Sequence, residues 1–563
     1  MKHLWETNAS LVILCAILIV VIPFLVFYIV KAKKEHPKGL VAAALSNMGE
    51  RFGYYIMNAV LTLFLVSKFG LPKEVAGIIF SVFYFGIYIL SLVGGIIADR
   101  TQKYNSTIQW GVTLMAFGYI ALAIPLFSKE GGLIVDHNST WWAILIFTCV
   151  ALLLIAFGNG LFKGNLQALV GQMYDNFEAE AAKKGPEALA EAKDKRDSGF
   201  QIFYVFINIG GVIAPFVAPL IRTWWLKIHN FVYNADMPAL CHQYIADGQV
   251  TQKFTETMNN SVIDPSLITN ATQFSSDYID VYNTGIHYAF IASAIAMVIS
   301  LVIFFTNKKG FPQPAKKVAT ETAGYTAEEK TAMAKEIKQR LYALFAVLGI
   351  AIFFWLSFHQ NTQSLKFFAS DFVNTSMFPA EIWDSMNPLF VIILTPIIMI
   401  LFAALARKGK PVSTPRKIAI GMGIAACAYL FLMIFSIMKH YPSGNEFTNM
   451  DAAAMAQAGL AKAAPWVMIV TYFFLTVAEL FISPLGLSFV SKVAPKNLQG
   501  ICQGLWLGAT ALGNLFIWIG PVMLNKMPKL WMCWAVFLVI CLVAMGVMWG
   551  MVSWLERVTG EKQ

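Results

Sequence analysis

Charge is scarce in this chain. Asp, Glu, Lys and Arg make up 13% of its 563 residues, and 58% are apolar before glycine is counted. An ordinary soluble domain is about 25% charged and roughly 45–50% apolar with glycine included. That gap excludes a disordered chain and a typical soluble enzyme. Cysteine is sparse too. Six of the seven (Cys15, Cys149, Cys427, Cys502, Cys533 and Cys541) fall inside apolar runs, and Cys241 stands alone in a polar stretch. No disulfide framework is expected, and no Cys/His spacing marks a metal site. A phosphate-cradling loop is missing, because Gly158-Asn-Gly160 lies within an apolar run without Walker context. No nucleophile–base pair is visible. An enzyme or an ATP-driven pump is therefore disfavoured, and no cofactor is expected.

What is abundant is apolar length. A helix needs about 20 mostly apolar residues to cross a bilayer. Thirteen runs qualify, near 10–31, 40–67, 75–98, 107–128, 141–170, 199–221, 285–306, 341–361, 387–406, 416–438, 465–490, 499–524 and 529–554. They do not alternate as the strands of a membrane barrel would. The chain reads as an all-α membrane protein. Its first run is too long for a signal-peptide core and is followed by Lys31, Lys33, Lys34 and Lys38. Basic loops stay on the cytoplasmic side, which places the N-terminus outside and the C-terminus inside. Lys526 and Lys529, in the external loop 525–528 and just beyond it, run against that rule. The net charge of +10 reads as topology and contact with anionic lipid, not nucleic-acid binding.

Four regions follow. Residues 1–38 hold an extra helix and a basic turn, 39–306 six spans, 307–340 a polar cytoplasmic linker, and 341–563 six more spans with a tail. Within the first set, 174–198 is a charged cytoplasmic insert, with a surface helix expected over Pro186–Lys193. Residues 222–284 form a long external loop with sequons at Asn259 and Asn270.

Ionisable groups at membrane depth cost at least about 2.5–3.5 kcal/mol each on insertion scales, so they are functional candidates. Asn47, Glu50, Arg51 and Tyr54 share one helical face, with Tyr55 beside them. Lys163 sits deep in the fifth run, Asn208 in the sixth, Trp355 and His359 one turn apart in the eighth, Asn387 in the ninth, and Glu479 and Ser483 one turn apart in the eleventh. Each has a plainer role available. Glu50–Arg51 can be an internal ion pair, Asn208 and Asn387 interhelical glue, His359 a structural histidine, and Tyr54, Tyr55, Tyr88 and Trp355 packing. Their convergence in both halves points instead to a polar cavity near the midplane. Arg51 and Lys163 can hold a carboxylate and Glu479 an ammonium, which fits a zwitterion spanning the halves.

Several segments carry a family resemblance. Gly94-Gly-Ile-Ile-Ala-Asp99-Arg100, placed after the third run, resembles the cytoplasmic loop motif of the major facilitator superfamily. Glu50-Arg-Phe-Gly-Tyr-Tyr55, Gly158-Asn-Gly-Leu-Phe-Lys163, Phe203–Gly210, Asn387-Pro388 and Glu479–Leu487 are similar to segments of the proton-dependent oligopeptide transporters. The resemblance spans roughly residues 40 to 555. It implies a major facilitator fold of two six-helix bundles, here with the extra N-terminal helix. It also implies alternating access and inward symport of di- and tripeptides with protons by a monomer in the cell membrane. Arg51 and Lys163 would then take the peptide C-terminus and Glu479 its N-terminus. Tyr54, Tyr55, Tyr88, Asn208, Trp355, Asn387 and Ser483 would line the cavity, Glu50 would pair with Lys163 in coupling, and Asp99 and Arg100 would belong to the gating motif.

Three positions depart from that pattern. Asn47 replaces a glutamate, His359 a carboxylate ahead of Gln360, and Gly164 a proline. His359 and Glu479 remain as expected proton carriers, alongside Glu50 and Lys163. The alternatives are transport or facilitated passage of another small carboxylate or anion, such as nitrate or a modified amino acid, and a transport-dead sensor or scaffold.

Overall fold

A computed structural model describes residues 2–101, 103–268, 270–312, 327–375, 378–410, 412–493 and 499–559. Among them, thirteen segments are long and apolar enough to cross a membrane. The first part of the chain comprises α1 (Lys2–Glu35), α2 (Leu40–Phe69), α3 (Lys73–Thr101), α4 (Tyr104–Ala123), α5 (Ser139–Ala182), α6 (Pro186–Ile228), the short α7 (Met237–Asp247) and α8 (Gln252–Asn260), and α9 (Ala271–Asn307). The second comprises α10 (Ala327–Phe358), α11 (Ser364–Phe372), α12 (Met386–Arg407), α13 (Thr414–Met438), the short α14 (Gly444–Asn449) and α15 (Ala452–Gln457), α16 (Trp466–Val493), α17 (Gln499–Leu515), α18 (Ile519–Lys526) and α19 (Leu530–Thr559). An antiparallel ribbon of two residues per strand, β1 (Lys129–Glu130) and β2 (Leu133–Ile134), joins α4 to α5.

The buried apolar side chains fall into two clusters. One draws its buried members from residues up to Phe311, with Ile517 added, and the other runs from Ala343 to Leu555. These are the cores of two six-helix bundles in the major facilitator arrangement. Large apolar side chains such as Ile146, Leu153, Ile400 and Trp549 point outward, as lipid-facing helices require. The extra α1 lies against α6 and α2. It packs Leu25, Tyr28, Ile29 and Ala32 onto the first cluster while Ile19 and Val20 stay exposed. His36, just past its end, hydrogen-bonds Tyr174 of α5 at 2.8 Å. The sharp turn into α2 depends on Gly39, whose φ is +109°, a region closed to most side chains.

Several segment boundaries differ from the sequence reading. Pro186–Lys193 is no separate surface helix but the first turns of α6. Residues 94–100 are the end of α3, not a loop. The last third of the expected linker is already α10. The external loop shortens to 229–270 and contains α7 and α8. Asn270 accepts from the Gln273 amide as the N-cap of α9. The segment between the eighth and ninth runs carries α11 and a 3-10 turn, Ala380–Ser385. At Pro186–Lys193 and the start of α10, hydropathy marks only what lipid covers, whereas Ala/Glu/Lys-rich sequence continues a helix beyond it.

The two bundles meet most tightly at the end that carries the 229–270 loop. There Arg222 of α6 forms an ion pair with Glu381, and both side chains are fully buried. Lys73 pairs with Asp371, and Lys462 with Asp236 at 3.4 Å. Lys366 donates to the Asn58 carbonyl at 2.7 Å and to Asp384 at 2.9 Å, and Asn58 also donates to Asp384. The pairs Arg222–Glu381, Lys73–Asp371 and Lys462–Asp236 all cross between the bundles at this end.

Removing one partner of a buried pair leaves an uncompensated charge, which costs about 3–5 kcal/mol. Arg222→Met should therefore lower thermal stability in detergent steeply. Arg222→Met combined with Glu381→Met should recover most of the loss. A single variant as stable as the parent would show that the pair does not hold the seam.

Candidate functional site

The site is built from helices that converge on the seam between the bundles. On α2, Glu50 accepts from Arg51 through both carboxylate oxygens, at 2.5 and 2.8 Å, and from Asn159 of α5 at 2.6 Å. All three residues are buried. Asn159 reaches that position because glycines flank it. A Cβ at Gly158 would lie 2.8 Å from the backbone nitrogen of Met115 on α4, and one at Gly160 would lie 2.6 Å from the backbone of Leu90 on α3. Gly158 and Gly160 thus let α5 pack against both neighbours at backbone distance, the small-residue contact typical of membrane helices. The Gly158-Asn-Gly160 run is a packing device that delivers an amide to Glu50. Asn159 was visible in the sequence, but its partner was not.

The expected Glu50–Lys163 pair is not formed. Glu50 is already engaged by Arg51 and Asn159, and Lys163 makes no ion pair among the described residues. Its ammonium instead lies 4.5 Å from the ring centroid of Tyr88. The Arg51 guanidinium lies 4.9 Å from the Tyr54 ring. Tyr54 and Tyr55 pack edge to face at 5.5 Å. Asn208 turns its amide back to the Tyr204 carbonyl of its own helix at 2.9 Å.

Across the seam, α10 stops at Phe358, and His359–Thr362 forms a 3-10 turn before α11. Broken helices at membrane depth are tolerated where protein buries them or where they line a cavity. A second break separates α17 from α18. The Gln360 amide donates to the Leu356 carbonyl at 3.1 Å and to the Ile517 carbonyl at 3.2 Å, so one side chain ties the two breaks together; the Ile517 carbonyl also accepts from the Gly520 amide at 3.1 Å. His359, at the first break, stacks on Trp355 with ring centroids 5.0 Å apart. It meets Tyr84 edge-on at 5.1 Å and Tyr88 at 6.4 Å. Tyr88 thus sits between Lys163 of one bundle and His359 of the other. Asn514 lies against His359. The His359 Nδ1, the Trp355 Nε1 and the Asn514 amide are buried polar atoms without partners. Tyr84 and Asn514 were not singled out by sequence reasoning. A tyrosine in a span and an asparagine near a helix break carry no separate signal there.

Asn387, near the start of α12, donates to Glu479 of α16 at 2.7 Å and to Thr476 at 3.2 Å. Ser483 is half-buried one turn beyond Glu479. Glu479 forms no ion pair among the described residues and lies within electrostatic range of Tyr55 and Tyr204 in the other bundle. Lys163, Tyr55, Tyr88, Asn387, Glu479 and Ser483 are only half-buried, whereas Glu50, Arg51, Asn208, Trp355 and His359 are buried. The half-buried set forms an accessible strip on the seam with a free cation on one bundle and a free anion on the other. Arg100 is exposed in the last turn of α3, remote from this strip in sequence, and the side chain of Asp99 lies outside the described residues.

The chain is similar to known proteins along most of its length. The chain is 27% identical over 542 residues to the peptide transporter YePEPT of Yersinia enterocolitica, covering 90% of this chain and 92% of that protein. It is 25% identical over 486 residues to the dipeptide and tripeptide permease B of Salmonella typhimurium, covering 84% of each. Its fold matches that of a peptide transporter POT solved with sulfate, with a TM-score of 0.63 at 20% identity, over 93% of this chain and 96% of that one. A POT family transporter solved with 5-aminolevulinic acid gives a TM-score of 0.63 at 18% identity, covering 93% and 97%. The family description, POT family, matches residues 105–325 and 314–532, about three quarters of the sequence. The chain therefore belongs to the POT family, the oligopeptide transporters of the major facilitator superfamily.

Proposed function

We propose that the protein imports di- and tripeptides, or peptide-like zwitterions, by alternating access coupled to protons. The observation that carries this reading is a pair of unmatched charges. Lys163 on one bundle and Glu479 on the other are half-buried at membrane depth, and neither forms an ion pair among the described residues. An ion left in that position without a counter-ion costs several kcal/mol, unless its partner arrives with the substrate. A short peptide brings both partners at once. Its carboxylate goes to Lys163 and the neighbouring Arg51, and its ammonium goes to Glu479. Arg51 enters this contact with Nε and Nη2 already held by Glu50, which leaves Nη1 to the substrate.

The ion pairs that close the loop-bearing end support a state open toward the opposite end. Basic loops assign that opposite end to the cytoplasm, with the N-terminus outside, in the cell membrane. Because a bound zwitterion contacts both bundles, it favours closure of one on the other, as population shift requires. For coupling, His359 and Glu479 are the carriers this chain offers. His359 sits at a helix break against Trp355, Tyr84 and Tyr88.

The deciding experiment is uptake of labelled dialanine into proteoliposomes with and without an inward proton gradient, with uptake faster under the gradient as the expected result. A charge-assisted hydrogen bond contributes about 1.5–3 kcal/mol, or roughly 10- to 150-fold. Glu479→Gln should weaken dialanine uptake by that factor while sparing competition by N-acetyl-dialanine, which has no ammonium. Equal loss for both ligands would remove the ammonium contact. His359→Ala should flatten the pH dependence of uptake. An unaltered profile would take the histidine out of the coupling path.

A further inference from the structure

The face of α3 that meets the second bundle carries Lys73, Gly77, Ser81, Tyr84 and Tyr88, spaced three or four residues apart along one side of the helix. The chain opposite runs the other way. Lys73 meets Asp371, Gly77 and Ser81 meet Gln363, and Tyr84 and Tyr88 meet His359. These contacts form a row between the bundles. Its ionic member stands at the loop-bearing end and its aromatic member at the strip. Gln363 lies between them.

Three observations single out Gln363. It is fully buried, and its amide donates to the Gly77 carbonyl and to the Ser81 hydroxyl oxygen, each at 3.1 Å. The second is the glycine opposite. A Cβ at Gly77 would lie 2.7 Å from Gln363 Oε1, whereas Pro521 and Trp518, its next neighbours, would stand at 3.5 and 3.6 Å. The missing side chain makes room for that one amide. The third is the way the contact parts. Ser81 also donates to the Gly77 carbonyl of its own helix, at 2.8 Å, and keeps that bond when the bundles separate. Only the Gln363 amide then needs a new partner, and water entering the opened seam supplies it. A buried ion pair, by contrast, parts into two bare charges.

We infer that Gln363 is the inner lock of the loop-bearing end. It is a neutral contact, breakable without baring a charge, that shuts the strip off from that end and holds the turn carrying His359 in register with α3. The inference deepens the alternating-access reading and rests on it. The ion pairs fix where the bundles close, and the lock sets the population closed there.

The test reads opening without transport. Ser385 lies beside Asp384, which bonds Asn58 of the other bundle. It is 1% exposed, and its hydroxyl has no hydrogen-bond partner among the described residues, so Ser385→Cys removes no hydrogen bond there. A water-soluble thiol reagent should label that cysteine at a rate proportional to the open fraction, followed by mass spectrometry on the full-length protein in nanodiscs. Losing two neutral hydrogen bonds shifts such an equilibrium about tenfold. Gln363→Met should therefore speed labelling about tenfold. Gly77→Ala should speed it as well, because the added methyl strikes the amide, and should add nothing when combined with Gln363→Ala. Ser81→Ala should speed it severalfold and gives a reading if Gln363→Met folds poorly. Labelling of Gln363→Met and Ser81→Ala at the parent rate, or an equal effect of Gly77→Ala with and without Gln363, would overturn the lock. Asp371→Asn, which breaks the ionic member of the row, separates the lock from the reading beneath it. Faster labelling there with no change in Gln363→Met removes the lock alone. No change in either removes opening at this end, and alternating access with it.

Discussion

Two helical bundles in lipid have little hydrophobic reason to stay together, because the acyl chains around them are as apolar as their own side chains. What joins them is polar contact withdrawn from water. Arg222 with Glu381, and Lys366 with Asp384 and Asn58, are buried at one end of the seam, and Lys73 with Asp371 lies beside them. Such pairs are weak sources of net stability, since desolvation offsets much of the attraction. They are strongly directional, however, and they are costly to half-break. A seam held this way has discrete arrangements rather than a continuous range, and alternation between two states needs that property. Placing the interbundle ion pairs at one end fixes which arrangement is present here.

The same limit on unsatisfied groups shapes the helices. The breaks after Phe358 and after Leu515 would each leave backbone carbonyls stranded in a dry environment. Gln360 donates across the seam of the two breaks, to Leu356 at 3.1 Å and to Ile517 at 3.2 Å, and Ser364 in turn donates to the Gln360 side-chain oxygen at 2.5 Å. The break positions His359 against Trp355, Tyr84 and Tyr88, so an irregular backbone is what brings an imidazole to the seam. On the other side, Gly158 and Gly160 narrow the gap between α5 and its neighbours until Asn159 can hold Glu50. Local strain and close approach thus place polar groups that hydropathy alone only flags as expensive.

That difference explains what was legible in the sequence. Thirteen spans were readable because length and apolarity are additive along the chain. Glu50, Arg51, Lys163, His359 and Glu479 stood out because each is a single costly residue inside an apolar run. Arg222, Lys366, Asp371, Glu381 and Asp384 did not stand out, for a physical reason. They lie where spans end, and a hydropathy window stops at the first charge, so they fell outside the thirteen runs. Only the fold shows that these ends are buried against each other. The Glu50–Lys163 pairing that the resemblance implies is not formed here, because the approach of α5 to α2 brings Asn159, not Lys163, to the carboxylate.

The buried charges of the seam accordingly divide into two sets. Those at the loop-bearing end carry partners and hold the bundles closed there. Lys163 and Glu479, deeper and on opposite bundles, carry no counter-ion among the described residues. In a low-dielectric setting the second set is a standing cost to the empty protein. It is relieved by a ligand that carries both charges at a separation bridging the seam. A single anion would satisfy Lys163 and leave Glu479 facing Asn387 alone. On the proposed reading, the arrangement discriminates by charge pattern before side-chain shape matters, which is what a receptor for many short peptides needs.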